Sequence, residues 1–228
     1  MRDLSVVIPV KDEPHHIVNN LKLILESHGA EVIIVDDGSD VPNSNAICHH
    51  TNRGYGAAIM TGINASTRKW VMTLDGDGQH TAVQASKLYQ AFNLMEDVDM
   101  LIGSRRLKYE SFIRVLGRKT LNTIASFFAG YYFQDLNSGM RIFNRELAVG
   151  YFPILCKEFS FTTSITMSMK CDNYTVETFP IKVEERESGK SRVKLVRHGF
   201  ITLWYILKIG FALRTRMIRK HLRKLRGL

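Results

Sequence analysis

Cysteine is scarce. The chain has three, at positions 48, 156 and 171. They are too few and too scattered to staple a small secreted fold, and no pair has the spacing of a zinc site. A reducing, cytosolic setting is therefore expected, with the thiols as ordinary buried groups. Export is not expected: the opening MRDLSVVIPV turns polar at Lys11, before a signal-peptide apolar segment has formed. A membrane-spanning run is also missing. The longest apolar stretch, 199–213, is interrupted by Lys208. As a helix it would span roughly 22 Å, short of the ~30 Å hydrocarbon core of a bilayer. No EF-hand loop with its terminal Glu is present, and there is no internal repeat or low-complexity linker. Hydrophobic residues make up 45% and charged residues 23%, close to globular averages, which excludes disordered and fibrous classes. The 228 residues make one domain, or one domain with a tail.

The charge is unevenly placed. The formal net charge is +9. Arg186 to Leu228 holds 13 Lys/Arg and one acid, Glu187, a net of +12; the preceding 185 residues hold 18 Lys/Arg and 21 acids, a net of −3. A mildly acidic body with a basic terminal segment argues against a uniformly basic nucleic-acid binder. It favours a tail that faces a polyanion, either nucleic acid or an anionic membrane.

Short apolar runs alternate with helical patterns in the first half. Leu4–Val10, Val32–Val35, Trp70–Leu74 and Met100–Ile102 read as buried strands. Helical spacing falls at Ile17–Leu25, Ala57–Ala65 and Val83–Leu94. This alternation predicts a parallel sheet in an α/β domain, and the unbroken apolar strands fit a sheet covered on both faces. Further on, 111–133 reads as a long helix, Met140–Phe143 as a strand, Thr163–Lys170 as a helix and Tyr174–Val183 as a strand.

The acids gather where strands end. The second strand runs into Asp36-Asp37-Gly38-Ser39-Asp40, the third into Asp75-Gly76-Asp77-Gly78-Gln79-His80. In open α/β sheets ligands bind outside the carboxyl ends of strands. Asp75 and Asp77, one residue apart on a turn, suit one hard divalent cation, and Gln79 adds a neutral oxygen. Mg²⁺ or Mn²⁺ with positions left open for phosphate oxygens is the expectation. Gly54-x-Gly56 has the look of a dinucleotide loop, but no clear strand precedes it and no acid is placed for a ribose, so that reading is discounted. His15, His16, His49 and His50 are expected in loops, with only His80 near the chemistry.

VVIPVKDE, VDDGSD, NRGYGAA, LDGDGQH, GSR, DLNSGMRIF and RESGKSR stand in the order seen in family-2 glycosyltransferases. The chain resembles that family over residues 4–194, and within it the dolichyl- or polyprenyl-phosphate sugar synthases. The resemblance implies a GT-A-type α/β fold: a nucleotide-sugar-binding domain with a central, mostly parallel sheet flanked by helices. It divides the chain into a catalytic domain, 1–195, and an apolar then polybasic helical tail, 196–228. Pro9 and Glu13 would line the nucleotide pocket, Val35 and Asp37 would contact base and ribose, and Gly76 would lie beside the donor. Asp75, Asp77 and Gln79 would hold the metal that clamps the diphosphate. Arg105, Arg186 and Arg192 would contact phosphates of donor or acceptor, although position 192 is often Lys in the synthases. Asp135 stands where many members carry an acid near the acceptor, so Asp77, Arg105 and Asp135 are the candidate catalytic residues. The QxxRW motif of processive polysaccharide synthases is absent, which argues against chain elongation.

The chemistry agrees. Breaking a bond to a diphosphate builds negative charge on the leaving group, which a divalent ion and planar guanidinium groups stabilise most in the transition state. The expected activity is inverting transfer from a UDP- or GDP-sugar to a polyprenyl phosphate. A hydroxyl on a lipid-linked or surface glycan is the alternative acceptor, and a non-catalytic nucleotide- or polyanion-binding protein is a third reading. Trp204 and Tyr205, followed by seven Lys/Arg after Leu213, describe an interfacial helix on an anionic leaflet. The expected place is the cytoplasmic face of a membrane, held peripherally, with nucleic acid not expected as a partner.

Overall fold

The computed structural model describes residues 1–105, 112–182 and 195–225, with the side chains of 112–114, 195–196, 213–214 and 216–225 excepted. In chain order the elements are β1 (Leu4–Val10), α1 (His15–Ser27), β2 (Glu31–Asp36), β3 (Ile47–Cys48), α2 (Tyr55–Ala65), β4 (Trp70–Thr73), α3 (Ala82–Asn93), β5 (Met100–Arg105), α4 (Phe112–Ala129), β6 (Arg141–Asn144), α5 (Arg145–Tyr151), α6 (Phe161–Cys171), β7 (Val176–Ile181) and α7 (Leu195–Leu225). One sheet joins the strands in the order β3-β2-β1-β4-β6-β5-β7.

Alternate residues of the central strands feed two cores. Leu4, Val6, Ile8 and Val10 of β1 pack with Val18, Leu21 and Leu25 of α1 and with Ala85 and Leu88 of α3. Val7 points the other way, into a cluster with Ile59 and Ile63 of α2, Phe143, and Phe161, Ile165 and Met169 of α6. Both faces of the strand are therefore apolar, and every residue of β1 is buried. A third cluster joins Ala125 of α4, Phe133, Leu136, Met167 of α6, and Ile206 and Ile209 of α7. The first half of α7 thus packs on the domain, while Phe200, Trp204 and Phe211 remain exposed.

All pairings are parallel except those of β6, which runs against both β4 and β5. Its reversed direction positions the site. An antiparallel strand begins at the edge where its neighbours end, so Arg141 pairs with Thr73 and the preceding loop, 134–140, lies beside the carboxyl ends of β4 and β5. The thiols only partly match expectation. Cys156 is buried and Cys171 half-buried, but Cys48, at the end of the short outer strand β3, is exposed.

Candidate active site

The turn after β4 is folded on itself. The backbone N–H of Asp75 donates to Nδ1 of His80 at 3.0 Å, so the proton of the neutral ring sits on Nε2. Burial lowers the pKa of His80 against the pull of Asp75 and Asp77 and keeps the ring neutral near pH 7. Oδ1 of Asp75 accepts a hydrogen bond from the Tyr55 hydroxyl at 2.8 Å. Burial, then the Asp75 charge, raises the Tyr55 pKa well above its ordinary value, so the phenol stays a donor. Oδ1 of Asp77 accepts from the backbone N–H of Gln79 at 3.1 Å. Gly76 is buried between the two acids. Gly139, from the opposite loop, lies against Asp75 so closely that a Cβ there would meet its carboxylate oxygens at 2.3–2.4 Å.

That opposite loop is pinned on several sides. The Thr73 hydroxyl donates to the Gly139 carbonyl at 2.6 Å, the Ser138 hydroxyl to Gly103 at 2.6 Å, and Thr163 to Oδ1 of Asn137 at 3.0 Å. Beneath it lies Arg141, with no exposed surface. Its guanidinium donates to the carbonyls of Leu136, Ser138 and Thr162 and to the Thr166 hydroxyl. Burial pulls its pKa down to about 10, so it is a cation at neutral pH, held by dipoles below the acids.

The loop carries Asp135 to Arg105 at the end of β5. Nε and an Nη of Arg105 donate to the two carboxylate oxygens at 2.8 and 3.1 Å, a bidentate fork. Asp135 also accepts from the backbone N–H of Asn137 at 3.2 Å. Its side chain is 1% exposed against 21% for Arg105. Burial alone would raise the Asp135 pKa, but the Arg105 charge and hydrogen bonds outweigh it and hold the carboxyl below its ordinary value.

On the other side of the turn, Pro9 and Val35 are register partners across β1 and β2, both buried. Glu13 lies in the loop before α1. Asp37 is 5% exposed. Its Oδ1 accepts from Nδ1 of His49 at 2.7 Å and from the backbone N–H of Arg53, and its Oδ2 from that of Gly54. The described work of Asp37 is thus to hold the 49–54 segment that leads into α2. His49 lies in a loop, as expected, but is buried and also bonded to the Thr61 hydroxyl at 2.9 Å; His15 and His16, expected in loops, instead open α1. The glycines of NRGYG answer to a packing need. A Cβ at Gly54 would meet the Lys157 carbonyl at 2.4 Å, and one at Gly56 the Cys156 carbonyl at 2.2 Å.

Asp75, Asp77, Gln79, Arg105 and Asp135 are therefore brought to one edge of the sheet, joined by His80, expected near the chemistry, and by Tyr55 and Arg141, which the sequence did not single out. Arg186 and Arg192 lie outside the described residues. Among the described residues no three His, Cys, Asp or Glu side chains converge as a metal cluster. Two carboxylates and a carboxamide still form a set of hard oxygens that fits Mg²⁺ or Mn²⁺, and Oδ2 of Asp75, 3.6 Å from Nδ1 of His80, accepts no hydrogen bond among the described residues.

A mostly parallel sheet with carboxylates and an arginine at its carboxyl edge is an open α/β arrangement, in which ligands bind beyond the strand ends. Residues 5–152 match the family described as Glycosyl transferase family 2, and the chain belongs to that family; it is a glycosyltransferase. It is 27% identical over 217 residues to the polyprenol monophosphomannose synthase of Mycolicibacterium smegmatis, covering 82% of this chain and 80% of that one. It is 25% identical over 240 residues to the UDP-N-acetylglucosamine–dolichyl-phosphate N-acetylglucosaminyltransferase of Methanococcus voltae, covering 90% and 95%. The fold is GT-A-like. It superposes with a TM-score of 0.71 on glucosyl-3-phosphoglycerate synthase from Mycobacterium tuberculosis, solved with Mn²⁺, uridine diphosphate and phosphoglyceric acid, at 14% identity over 92% of this chain and 78% of that one.

Proposed function

We propose that this glycosyltransferase moves a sugar, with inversion, from a UDP- or GDP-sugar to a polyprenyl phosphate at a membrane surface. The observation that carries the choice of acceptor is the state of Asp135. A hydroxyl acceptor must lose its proton as it attacks, and a positioned base contributes typically 10²–10⁴-fold to such a step. Asp135 is buried, forked by Arg105 and lowered in pKa, which makes it a poor base. A phosphate monoester, with a second pKa of about 6, is already an oxyanion near neutral pH and needs no base. The relatives named for polyprenol monophosphomannose and dolichyl-phosphate transfer support the same choice.

In this reading a phosphate oxygen of the acceptor attacks the anomeric carbon, the bond to the diphosphate breaks, and its electron pair leaves with the nucleotide. A divalent cation held by Asp75, Asp77 and Gln79 would neutralise charge growing on the diphosphate. Arg105, kept in place by Asp135, faces that charge from β5, and Arg186 and Arg192 remain proposed contacts for the acceptor phosphate. Pro9, Glu13, Val35, Asp37 and Gly76 are the proposed walls of the nucleotide-sugar pocket.

The membrane part rests on the outer face of α4 and α7. Leu116 and Phe127 of α4, Tyr132 just beyond it, and Phe200, Trp204 and Phe211 of α7 are exposed. The rings of Phe127, Phe128 and Phe211 follow one another at 5.6 Å spacings. Apolar rings next to a polybasic segment suit an anionic leaflet, and the cytoplasmic face is the proposed side. Among the described residues no helix is long and apolar enough to cross a membrane.

The test is product formation from UDP- and GDP-sugars with Mn²⁺, offering a polyprenyl phosphate or a lipid-linked glycan. Asp135→Asn should cost the enzyme less than Arg105→Ala and leave the rate nearly flat above pH 7. A thousand-fold loss in Asp135→Asn, with a wild-type rate that rises on a carboxylate-like pKa, would make Asp135 a general base and the acceptor a hydroxyl.

A further inference from the structure

The NRGYG segment places one side chain whose chemistry the motif itself does not explain. Tyr55 opens α2, directly after Gly54. Its ring stacks on Phe159 at 5.3 Å, nearly parallel at 17°, and Phe159 meets His198 of α7 edge-on at 5.0 Å. The backbone on either side is fixed. Segment 156–158 packs against Gly54 and Gly56 with no room for a Cβ, and the N–H of Ala57 donates to the Lys157 carbonyl at 3.0 Å. A ring held this way has one direction in which to aim its hydroxyl, and that direction ends on Oδ1 of Asp75 at 2.8 Å. On its other side the Asp75 carboxylate abuts Gly139. One oxygen is therefore committed to a phenol; the other, Oδ2, lies 3.6 Å from Nδ1 of His80 and accepts no hydrogen bond among the described residues, and the side chain is 27% exposed.

We infer that Tyr55 is a positioning residue for the donor–metal site: its hydroxyl locks the Asp75 carboxylate so that Oδ2 is the oxygen offered to the divalent cation. The inference rests on the proposed metal role of Asp75. Groups that orient a metal-binding side chain through a hydrogen bond typically matter by about 10–100-fold in metal affinity. A carboxylate free to rotate must give up that freedom when it binds, and a carboxylate held by Tyr55 has already done so.

Tyr55→Phe removes the hydroxyl and keeps the ring on Phe159. Mn²⁺ binding is followed by electron paramagnetic resonance of free Mn²⁺, in the presence of UDP and, separately, of GDP. Tyr55→Phe should weaken Mn²⁺ about 10–100-fold, with the melting temperature of the unliganded protein little changed. Phe159→Leu, which keeps the hydroxyl, should weaken it less. In an Asp75→Asn background, adding Tyr55→Phe should cost nothing more, because the hydroxyl acts through that carboxylate. Unchanged Mn²⁺ affinity in Tyr55→Phe overturns the inference while leaving the proposed function standing. So does an equal loss in Phe159→Leu, or a further loss in the double variant. A wild-type protein that binds neither nucleotide in a Mn²⁺-dependent way overturns the metal reading and this inference together.

Discussion

Asp135 and Arg105 are unequal partners. Asp135 is almost wholly buried, while Arg105 keeps about a fifth of its side chain in solvent. Removing Arg105 strands a carboxylate with no route to water, and breaking a buried pair from one side costs about 3–5 kcal/mol. Removing the charge of Asp135 leaves a cation that can still reach solvent and should cost about 1–3 kcal/mol. Urea unfolding should therefore rank Arg105→Met below Asp135→Asn in stability, and the reverse order would mean that the pair is not ionised in the fold. The pH dependence has a definite sign. A carboxyl whose pKa is lowered by folding contributes stability that is present above its unfolded value, near 3.9, and is lost as pH falls through the lower folded value. The difference between wild type and Asp135→Asn should be constant at neutral pH and shrink only in acid. The acids of DGDGQH were legible because adjacent residues on one turn must share a neighbourhood. The fork from Arg105 to Asp135 joins residues 30 apart in sequence, and nothing local signals it. His49 stands in a loop as expected, but its burial was not legible, because its partner, Asp37, is twelve residues away.

Helix α7 shows what an element's pattern reveals and what it conceals. The sequence marks its apolar stretch at 199–213, but the helix runs Leu195–Leu225, because lysine and arginine are good helix formers and carry it onward. One face, with Thr202, Ile206 and Ile209, is buried on the domain; the other exposes Phe200, Trp204 and Phe211. Ile206→Ala should therefore destabilise the fold by about 2–5 kcal/mol, whereas Trp204→Ala should stay within about 0.5 kcal/mol and instead weaken binding to vesicles. Equal unfolding midpoints for the two variants would refute this division of faces. Strands β1, β2 and β4 were legible nearly to the residue, since burial on both faces makes each a continuous apolar run. The direction of β6 was not, because four residues, Arg141–Asn144, read alike in either sense. The seven residues of α5 were missed because they follow β6 without an intervening turn, capped only by the Asn144 side chain accepting from the backbone N–H of Leu147 at 3.2 Å.

On the scale of the whole molecule, charge and packing divide the chain at different places. The basic excess begins at Arg186, but the third apolar cluster extends to Ile209. A truncation before Gly199 would remove Ile206 and Ile209 along with the cations and confuse loss of fold with loss of binding. A chain ending at Ala212 keeps those two residues and discards the segment 213–228, with its seven Lys/Arg and no acid. Each such cation near an anionic surface contributes about 1 kcal/mol, and the attraction is screened over about 10 Å at 0.1 M salt and about 3 Å at 1 M. The truncated chain should melt close to the full chain and bind vesicles of anionic lipid many-fold more weakly. The full chain should lose that advantage as salt rises, leaving a residual affinity from the exposed rings that is equal on neutral and anionic lipid. Co-sedimentation with the two vesicle types across a salt series decides it. Full-chain binding that ignores both lipid charge and salt would place the whole membrane contact on the aromatic face of α4 and α7 and none of it on the basic tail.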